Sequence, residues 1–255
     1  MLVDPKYKTG FDRNLWIWEE FTDGANYMIS ADVARGDGQD YSTFHVFKLE
    51  TSEIVAEYQG KATPDVFADI LFQAGKEFNN CMLVVENNSV GWGVLSKLEE
   101  KGYPNLYYSR KSTHEHVESY QSGMTGVVPG FTTSSKTRPL AISKLEELIR
   151  NKLINIKSRR LFEEMKTFVW ESGRPQAMKK YNDDLIMACA IGCWVKETAF
   201  AVNQRAVQYK KAFLASMTST NRELNTSIPG MIAYKQIQKK KNKQNYKDFV
   251  WLIKG

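Results

Sequence analysis

Apolar residues recur along this chain first in short runs and then with helical spacing. Three short runs, at about 26–33, 43–47 and 53–58, are separated by brief turns, so they predict three strands joined as an antiparallel meander. The segment Thr63-Pro64-Asp65 predicts the start of a helix, with the Thr63 hydroxyl as its cap and a proline in its first turn. The next apolar run, Met82–Val85, predicts a buried central strand.

The second half of the chain predicts mainly helices. A short strand is expected at 105–108, and residues 185–195 are apolar on nearly all sides, which predicts a central helix. The long polar segment 109–139 is typical of a functional or mobile loop. Three further helices are marked by apolar stripes, which are Val94, Leu95 and Leu98, then Leu140, Leu145, Leu148 and Ile149, then Leu161, Met165 and Phe168.

A meander followed by alternating strands and helices is the order of the ribonuclease H-like fold. We therefore predict an α/β domain with a central mixed sheet, made of a three-strand antiparallel meander plus parallel strands and flanked by helices. That domain is expected over residues 25–200. A lead-in or linker segment is expected over 1–24, and a basic C-terminal extension over 201–255.

Charge is unevenly distributed along the chain. The 255 residues carry a formal net charge of +6, yet the segment 205–255, here called the basic tail, holds eleven Lys and Arg residues against two acids. Such a tail favours phosphate backbones, although a solvated end without a partner is an equally open interpretation. No apolar run reaches the roughly eighteen residues of a membrane span, and no secretory signal is evident. Three cysteines in apolar segments indicate reduced, buried thiols.

Acidic residues stand where the predicted elements end or begin. Asp32 ends the first strand, Glu86 follows the most apolar strand, and the pair Asp183 and Asp184 precedes the central helix. Carboxylates at the rim of a core repel one another unless they share a hard cation. One acid of the pair is expected to cap the helix and the other to bind metal. Carboxylates in this number suit a pair of Mg²⁺ or Mn²⁺ ions acting on a phosphodiester.

The histidines give a weaker signal. His114 and His116 lie two residues apart in the polar loop, which is a poor metal motif and more simply explained by surface residues. His45 lies within a predicted strand and is expected to be a packed or edge residue rather than a catalytic base.

Three stretches around these acids resemble the nuclease domain of the large terminase subunit of tailed bacteriophages, and the similarity covers roughly residues 12–200. The stretches are 29–34 with 38–41, then 85–91, then 181–187. By that resemblance Asp32, Glu86 and Asp184 would be the catalytic, metal-binding triad, with Asp183 and Asp40 as further contributors. The resemblance implies an endodeoxyribonuclease using two Mg²⁺ or Mn²⁺ ions, which cuts concatemeric viral DNA during genome packaging in the host cell cytoplasm.

The resemblance also implies partners, namely double-stranded DNA, the portal protein, the small terminase subunit and other large terminase subunits, with no membrane involved. Residues 130–135 offer backbone amides and hydroxyls for phosphates. Basic residues predicted to contact DNA are Arg110, Lys111, Lys136 and Arg138.

Two departures from the family pattern are visible. Many relatives carry an acid where this chain has Met187, so the second ion is expected to be held loosely or only with DNA bound. The chain also lacks a G-x-x-x-x-G-K-[ST] phosphate loop, so it is expected to be the nuclease part without the ATPase. Two alternatives stay open. One is another nuclease of the same fold, such as a resolvase or an RNA-strand-specific hydrolase. The other is a non-catalytic DNA-docking module.

Overall fold

The computed structural model describes residues 2–10, 13–110, 126–171 and 173–196. The chain divides into two units, Met1–Arg205 and Ala206–Gly255, and the second lies outside the described residues. The strands are β1 Tyr7–Thr9, β2 Leu15–Ile17, β3 Tyr27–Asp32, β4 Ser42–Lys48, β5 Glu53–Gly60, β6 Met82–Val85, β7 Tyr108–Arg110, β8 Val127–Pro129, β9 Phe168–Glu171 and β10 Arg174–Ala177. The helices are α1 Pro64–Glu77, α2 Gly91–Glu100, α3 Thr137–Arg150, α4 Arg159–Lys166 and α5 at 184–196.

Six strands form one mixed sheet in the order β1-β2-β5-β4-β3-β6. The predicted meander is β3, β4 and β5, which pair antiparallel, whereas β6 pairs with β3 in parallel and places Val85 opposite Ala31. Parallel neighbours end at the same edge of a sheet. The carboxyl ends of β3 and β6 therefore present Asp32 and Glu86 together, and the fold class predicted from the sequence is confirmed.

Both faces of the sheet are covered by helices. On β3, Ile29 packs into a core that includes residues of α1 and α2, whereas the preceding Met28 packs into a second core that includes residues of α3, α4 and α5. Successive strand residues point to opposite faces, so the two cores lie on opposite sides of the sheet. Burial on both faces explains why β6 is apolar at every position.

Helix α5 packs against the sheet through small residues. A Cβ atom added at Gly192 would stand 2.3 Å from the Phe47 ring and 2.5 Å from the Ser30 hydroxyl. Because real Cβ atoms do not approach that closely, only glycine permits the observed distance between α5 and the sheet.

Two features near the ends of the domain differ from the sequence prediction. Helix α4 ends at Lys166, and Phe168 opens strand β9 instead of continuing the helical stripe, because it pairs with Ala177 of β10. Within the predicted lead-in segment, residues 7–9 and 15–17 form β1 and β2, and β2 pairs with β5. The sheet therefore extends beyond the meander on that side.

Two local details also differ. The strand predicted at 105–108 is an isolated bridge between Leu83 and Leu106, and β7 starts only at Tyr108. The Thr63 hydroxyl donates to the Asp65 carboxylate rather than capping α1. Within the described ranges, no helix is long and apolar enough to cross a membrane.

Candidate active site

Two acidic side chains lie next to each other where β3 and β6 end. The N–H of Glu86 donates to the carbonyl of Ala31 at 2.9 Å, so the parallel pairing continues one residue past β6 and brings Glu86 beside Asp32. Burial raises the pKa of Asp32, the Glu86 carboxylate raises it further, and the charge of Asp184 adds a smaller contribution. Carboxylates this close favour sharing a proton or a cation.

The third acid, Asp184, begins helix α5 and is only 9% exposed. Its Oδ2 accepts a hydrogen bond from the N–H of Tyr41 at 2.8 Å and another from the Asn182 amide at 3.3 Å. Burial raises the pKa of Asp184 to about 6, the Tyr41 bond opposes this shift, and the charges of Asp40 and Asp183 add to it. The exposed Asp40 therefore lies within electrostatic reach of Asp184.

Asp183 makes different contacts from its neighbour. Its carboxylate accepts hydrogen bonds from the Arg138 guanidinium and from the N–H of Ala177. In the first turn of α5, the N–H of Ile186 donates to Glu164 at 3.2 Å. Asp183 stands at the N-cap position, because its carbonyl accepts from the N–H of Met187 at 2.8 Å, but the carboxylate that caps the first turn is that of Glu164. The expectation of a side-chain cap from Asp183 or Asp184 is corrected in this respect. Glu164 was missed because it lies 22 residues before Ile186 in sequence, on a short and largely polar helix.

The oxygen ligands of the three acids fit a hard divalent cation. Asp32, Glu86 and Asp184 offer carboxylate oxygens, which Mg²⁺ and Mn²⁺ prefer, and burial together with neighbouring carboxylates raises the pKa of Asp32 and of Asp184. Among the residues that the structure describes, however, no three acidic, histidine or cysteine side chains already meet in a geometry that could hold an ion. The donors are thus near one another without forming an assembled metal centre.

A cleft of about 610 Å³ has walls that contact residues of the acidic site. Its walls are tied to the acids through two contacts, since the Asn88 amide donates both to Glu86 at 3.2 Å and to the carbonyl of Thr133 at 2.9 Å, and Arg138 pairs with Asp183. The lining residues are Thr133, Ser134, Ser135, Arg138, Pro139, Gly173, Arg174, Pro175 and Gln176. Hydroxyls and guanidinium groups therefore surround a space that adjoins the carboxylates.

The other residues singled out in the sequence lie in several places. Lys136 is exposed at the start of α3, while Arg110 ends β7. His45 is fully buried, which confirms that it is a packed residue. Arg174 lines the cleft but was missed, because nothing in the sequence shows that the β9–β10 hairpin faces α3. Lys111, His114, His116 and the basic tail lie outside the described residues.

No protein-family model matches the sequence. Among solved structures, the large terminase nuclease from thermophilic phage G20c with bound magnesium is similar, with a TM-score of 0.59 and 19% identity over 76% of this chain and 92% of that chain. The large terminase nuclease domain of Thermus phage P74-26 gives a TM-score of 0.55 and 20% identity over 74% of this chain and 88% of that one. The G20c nuclease with bound zinc gives a TM-score of 0.52 and 19% identity over 74% of this chain and 91% of that chain.

These similarities define the class of fold. The chain has the ribonuclease H-like fold, and the similar solved structures named above are large terminase nuclease domains. The resemblance inferred from the three sequence stretches is therefore confirmed at the level of the fold.

Proposed function

We propose that this chain is a divalent-cation-dependent endonuclease that cuts double-stranded DNA. The observation that carries the proposal is the position of Asp32 and Glu86 side by side at two adjoining strand ends, with Asp184 linked to the same strand end through Thr43, the cross-strand partner of Asp32. The likeness in fold to terminase nucleases, one of them with bound magnesium, supports it.

Two of the three acids have a hydrogen-bond partner that orients them. Asp32, Glu86 and Asp184 would hold Mg²⁺ or Mn²⁺, most simply as two ions, with Asp40 and Asp183 at the margin of the site. Such ions supply Lewis acidity and lower the pKa of water, which is the chemistry that phosphodiester hydrolysis needs. The N–H of Tyr41 keeps Asp184 fixed, and the Asn88 amide orients Glu86.

The cleft is proposed as the path of the DNA backbone. Arg138 and Arg174 line it, and Lys136 lies close by in the chain, so phosphates would meet positive charge next to the acids. The hydroxyls of Ser134 and Ser135 add neutral donors. Arg110 and Lys111 stay candidates for DNA contact on the basis of their charge in the sequence. Such contacts recognise the backbone and not the base sequence, so binding should show little sequence preference.

A biological setting follows from the same proposal. We propose that the chain cuts concatemeric viral DNA during genome packaging, together with a portal protein, a small terminase subunit and other copies of the large subunit. The chain lacks the phosphate-loop motif, so ATP-driven translocation is not assigned to these residues.

The proposal is tested by plasmid cleavage in Mn²⁺, Mg²⁺, Ca²⁺ or EDTA. Mn²⁺ and Mg²⁺ should support cutting, Ca²⁺ should support little, and EDTA should abolish it. Asp32→Ala, Glu86→Ala and Asp184→Ala should each lower cleavage at least roughly a hundredfold, more than is usual for residues that only support a metal ligand. Asp183→Ala should lower cleavage far less.

A matched control is Asp23→Asn, which changes an exposed acid before the opposite end of β3 and should cleave like the wild type. Full activity in EDTA would exclude a metal-dependent nuclease. A wild-type chain that binds DNA but never cuts it would favour the non-catalytic docking module.

A further inference from the structure

Three buried polar side chains of β3 and β4 point at the first turns of α5. Ser30 Oγ donates to the carbonyl of Ala188 at 2.6 Å, and Thr43 Oγ1 donates to the carbonyl of Asp184 at 2.9 Å. The third, His45, has its Nε2 3.0 Å from the carbonyl of Leu185. All three side chains are fully buried.

These contacts have the period of a strand. Thr43 and His45 are two residues apart on β4, so their side chains share one face, and they contact the segment 184–185 through a hydroxyl and an imidazole. Just before β4, the backbone N–H of Tyr41 contacts Asp184 as well. In the β3–β4 register, Thr43 is opposite Asp32. Thr43 thus stands between two of the proposed metal ligands, as the cross-strand partner of one and a hydrogen-bond donor to the other.

The chemistry of His45 fixes the direction of its hydrogen bond. A carbonyl oxygen only accepts, so Nε2 of His45 must carry the proton. Its Nδ1 then lies 3.6 Å from Glu57 Oε2, and Glu57 in turn accepts from Arg160 at 2.8 Å. Within the described residues neither Nδ1 nor Glu57 Oε2 has a hydrogen-bond partner, so the Nε2 hydrogen bond is the contact that ties the imidazole to α5.

Apolar side chains would pack a helix on a sheet without the cost of burying hydroxyl groups. Here the polar groups gather at the end of α5 that begins with Asp184. We propose that Ser30, Thr43 and His45 form a clamp that positions Asp184 relative to Asp32. These are positioning residues, because they act through the backbone of α5. The inference rests on the proposed function, since it concerns the same acids.

The test separates positioning from folding by measuring Mn²⁺ binding without DNA. Thr43→Val removes the hydroxyl while keeping the branched shape, and Thr43→Ser keeps the hydroxyl. Calorimetric titration should show Mn²⁺ affinity about tenfold weaker in Thr43→Val, as expected for loss of a group that supports a metal ligand. Thr43→Ser should bind like the wild type. In cleavage assays, Thr43→Val should need a correspondingly higher Mn²⁺ concentration for half-maximal rate.

Tyr103→Phe is the matched control, because Tyr103 is also buried and its hydroxyl donates to a backbone carbonyl, that of Cys81, at 2.6 Å before the start of β6. It should lower the melting temperature without changing Mn²⁺ affinity. If Thr43→Val no longer unfolds cooperatively, the same Mn²⁺ titration is made on Ser30→Ala, which removes one buried hydroxyl oxygen.

The outcomes distinguish the two proposals. If the wild type binds Mn²⁺ and cuts DNA while Thr43→Val and Ser30→Ala keep wild-type affinity, the clamp is refuted and the proposed function stands. If the wild type neither binds Mn²⁺ nor cuts, the proposed function is refuted and the clamp with it.

Discussion

Glu164 connects helix α4 to the start of α5. Its Oε2 accepts from the N–H of Ile186, and its Oε1 accepts from the Gln59 amide, each at 3.2 Å. Burial raises the pKa of Glu164 to about 8, the Ile186 bond opposes this shift, and the charge of Asp184 adds to it. In the folded protein this carboxyl therefore holds its proton over a pH range in which an exposed glutamate has lost it.

The raised pKa predicts how stability depends on pH. In the unfolded chain Glu164 titrates near its ordinary 4.5, so between that pH and about 8 the folded state holds a proton that the unfolded state has released. The free energy of unfolding of the cation-free protein should therefore fall as pH rises through this window. Glu164→Gln stays neutral at every pH, so its melting temperature in EDTA should decline less steeply from pH 5 to pH 8.

The neighbouring Glu163→Gln is the control for this prediction, because Glu163 lies on the same helix with a 64% exposed side chain. It should follow the wild-type curve. If the melting temperatures of the wild type and of Glu164→Gln fall equally steeply with pH, Glu164 is not the source of the pH dependence. Asp184, whose pKa is also raised, contributes in the same direction to all three proteins.

Single residues differ in how far the sequence can predict them. Asp32 and Glu86 could be singled out because each directly follows an apolar strand. Glu164 and Arg174 could not, because their contacts join elements far apart in the chain. Asp183 could be singled out, but its pairing with Arg138 could not be predicted, because it depends on where α3 lies.

The turn from β6 into α2 holds Glu86 through a close backbone approach. The N–H of Gly91 donates to Asn88 at 2.8 Å, and Ser89 adopts a φ of 44°, in the left-handed region. A Cβ atom at Gly91 would stand 1.8 Å from the carbonyl oxygen of Glu86. No side chain fits there unless the backbone of Glu86 moves.

Gly91→Ala should therefore disturb both stability and the site. We expect a loss of about 1–3 kcal/mol in the free energy of unfolding, typical of overpacking, together with reduced Mn²⁺-dependent cleavage at temperatures where the variant is folded. Gly93→Ala, two residues along the same helix, meets no atom within 4 Å. It should stabilise the protein by about 0.5–1 kcal/mol and leave cleavage unchanged. Equal effects of the two substitutions in denaturant unfolding would refute this account of the turn.

Elements could be predicted from the sequence where burial imposes a clear pattern. The strands of the meander and β6 are buried along most of their length, and each carries a short run or alternation of apolar residues, which is complete only in β6. The strands β1 and β2 have three residues each and are largely exposed or half-buried, so periodicity cannot reveal them. Their position depends instead on side-chain contacts such as Arg160, whose guanidinium lies 3.9 Å from the Trp16 ring.

The molecule as a whole combines a slightly acidic body with a basic tail. The order of strands and helices was sufficient to predict the fold, because short connections and handedness leave few topologies for a meander followed by alternating elements. The convergence of the acids could not be predicted to the same degree. It depends on the close packing of α5, set by Gly192 and by the polar contacts of β4.

The charge distribution predicts separate tasks for the two parts of the chain. A chain ending at Phe200 keeps the proposed acids and the cleft, so it should retain Mn²⁺-dependent cleavage at low salt. It should bind long DNA more weakly. A plot of the logarithm of the DNA-binding constant against the logarithm of the salt concentration should become shallower by about 0.9 for each phosphate that the tail no longer neutralises. A full-length variant with glutamine at Lys239, Lys240 and Lys241 is the matched control, since it should show part of the same change in slope without any change in length.

Two results would contradict this division of tasks. A salt dependence equal to that of the full chain would show that the basic tail does not bind phosphates, which leaves the solvated-end interpretation. A shortened chain that melts cooperatively, binds Mn²⁺ and yet cuts nothing at saturating DNA would place part of the tail in the active site. The second result would also move the boundary of the nuclease domain beyond residue 200, because a folded body with an intact metal site would then be insufficient for hydrolysis.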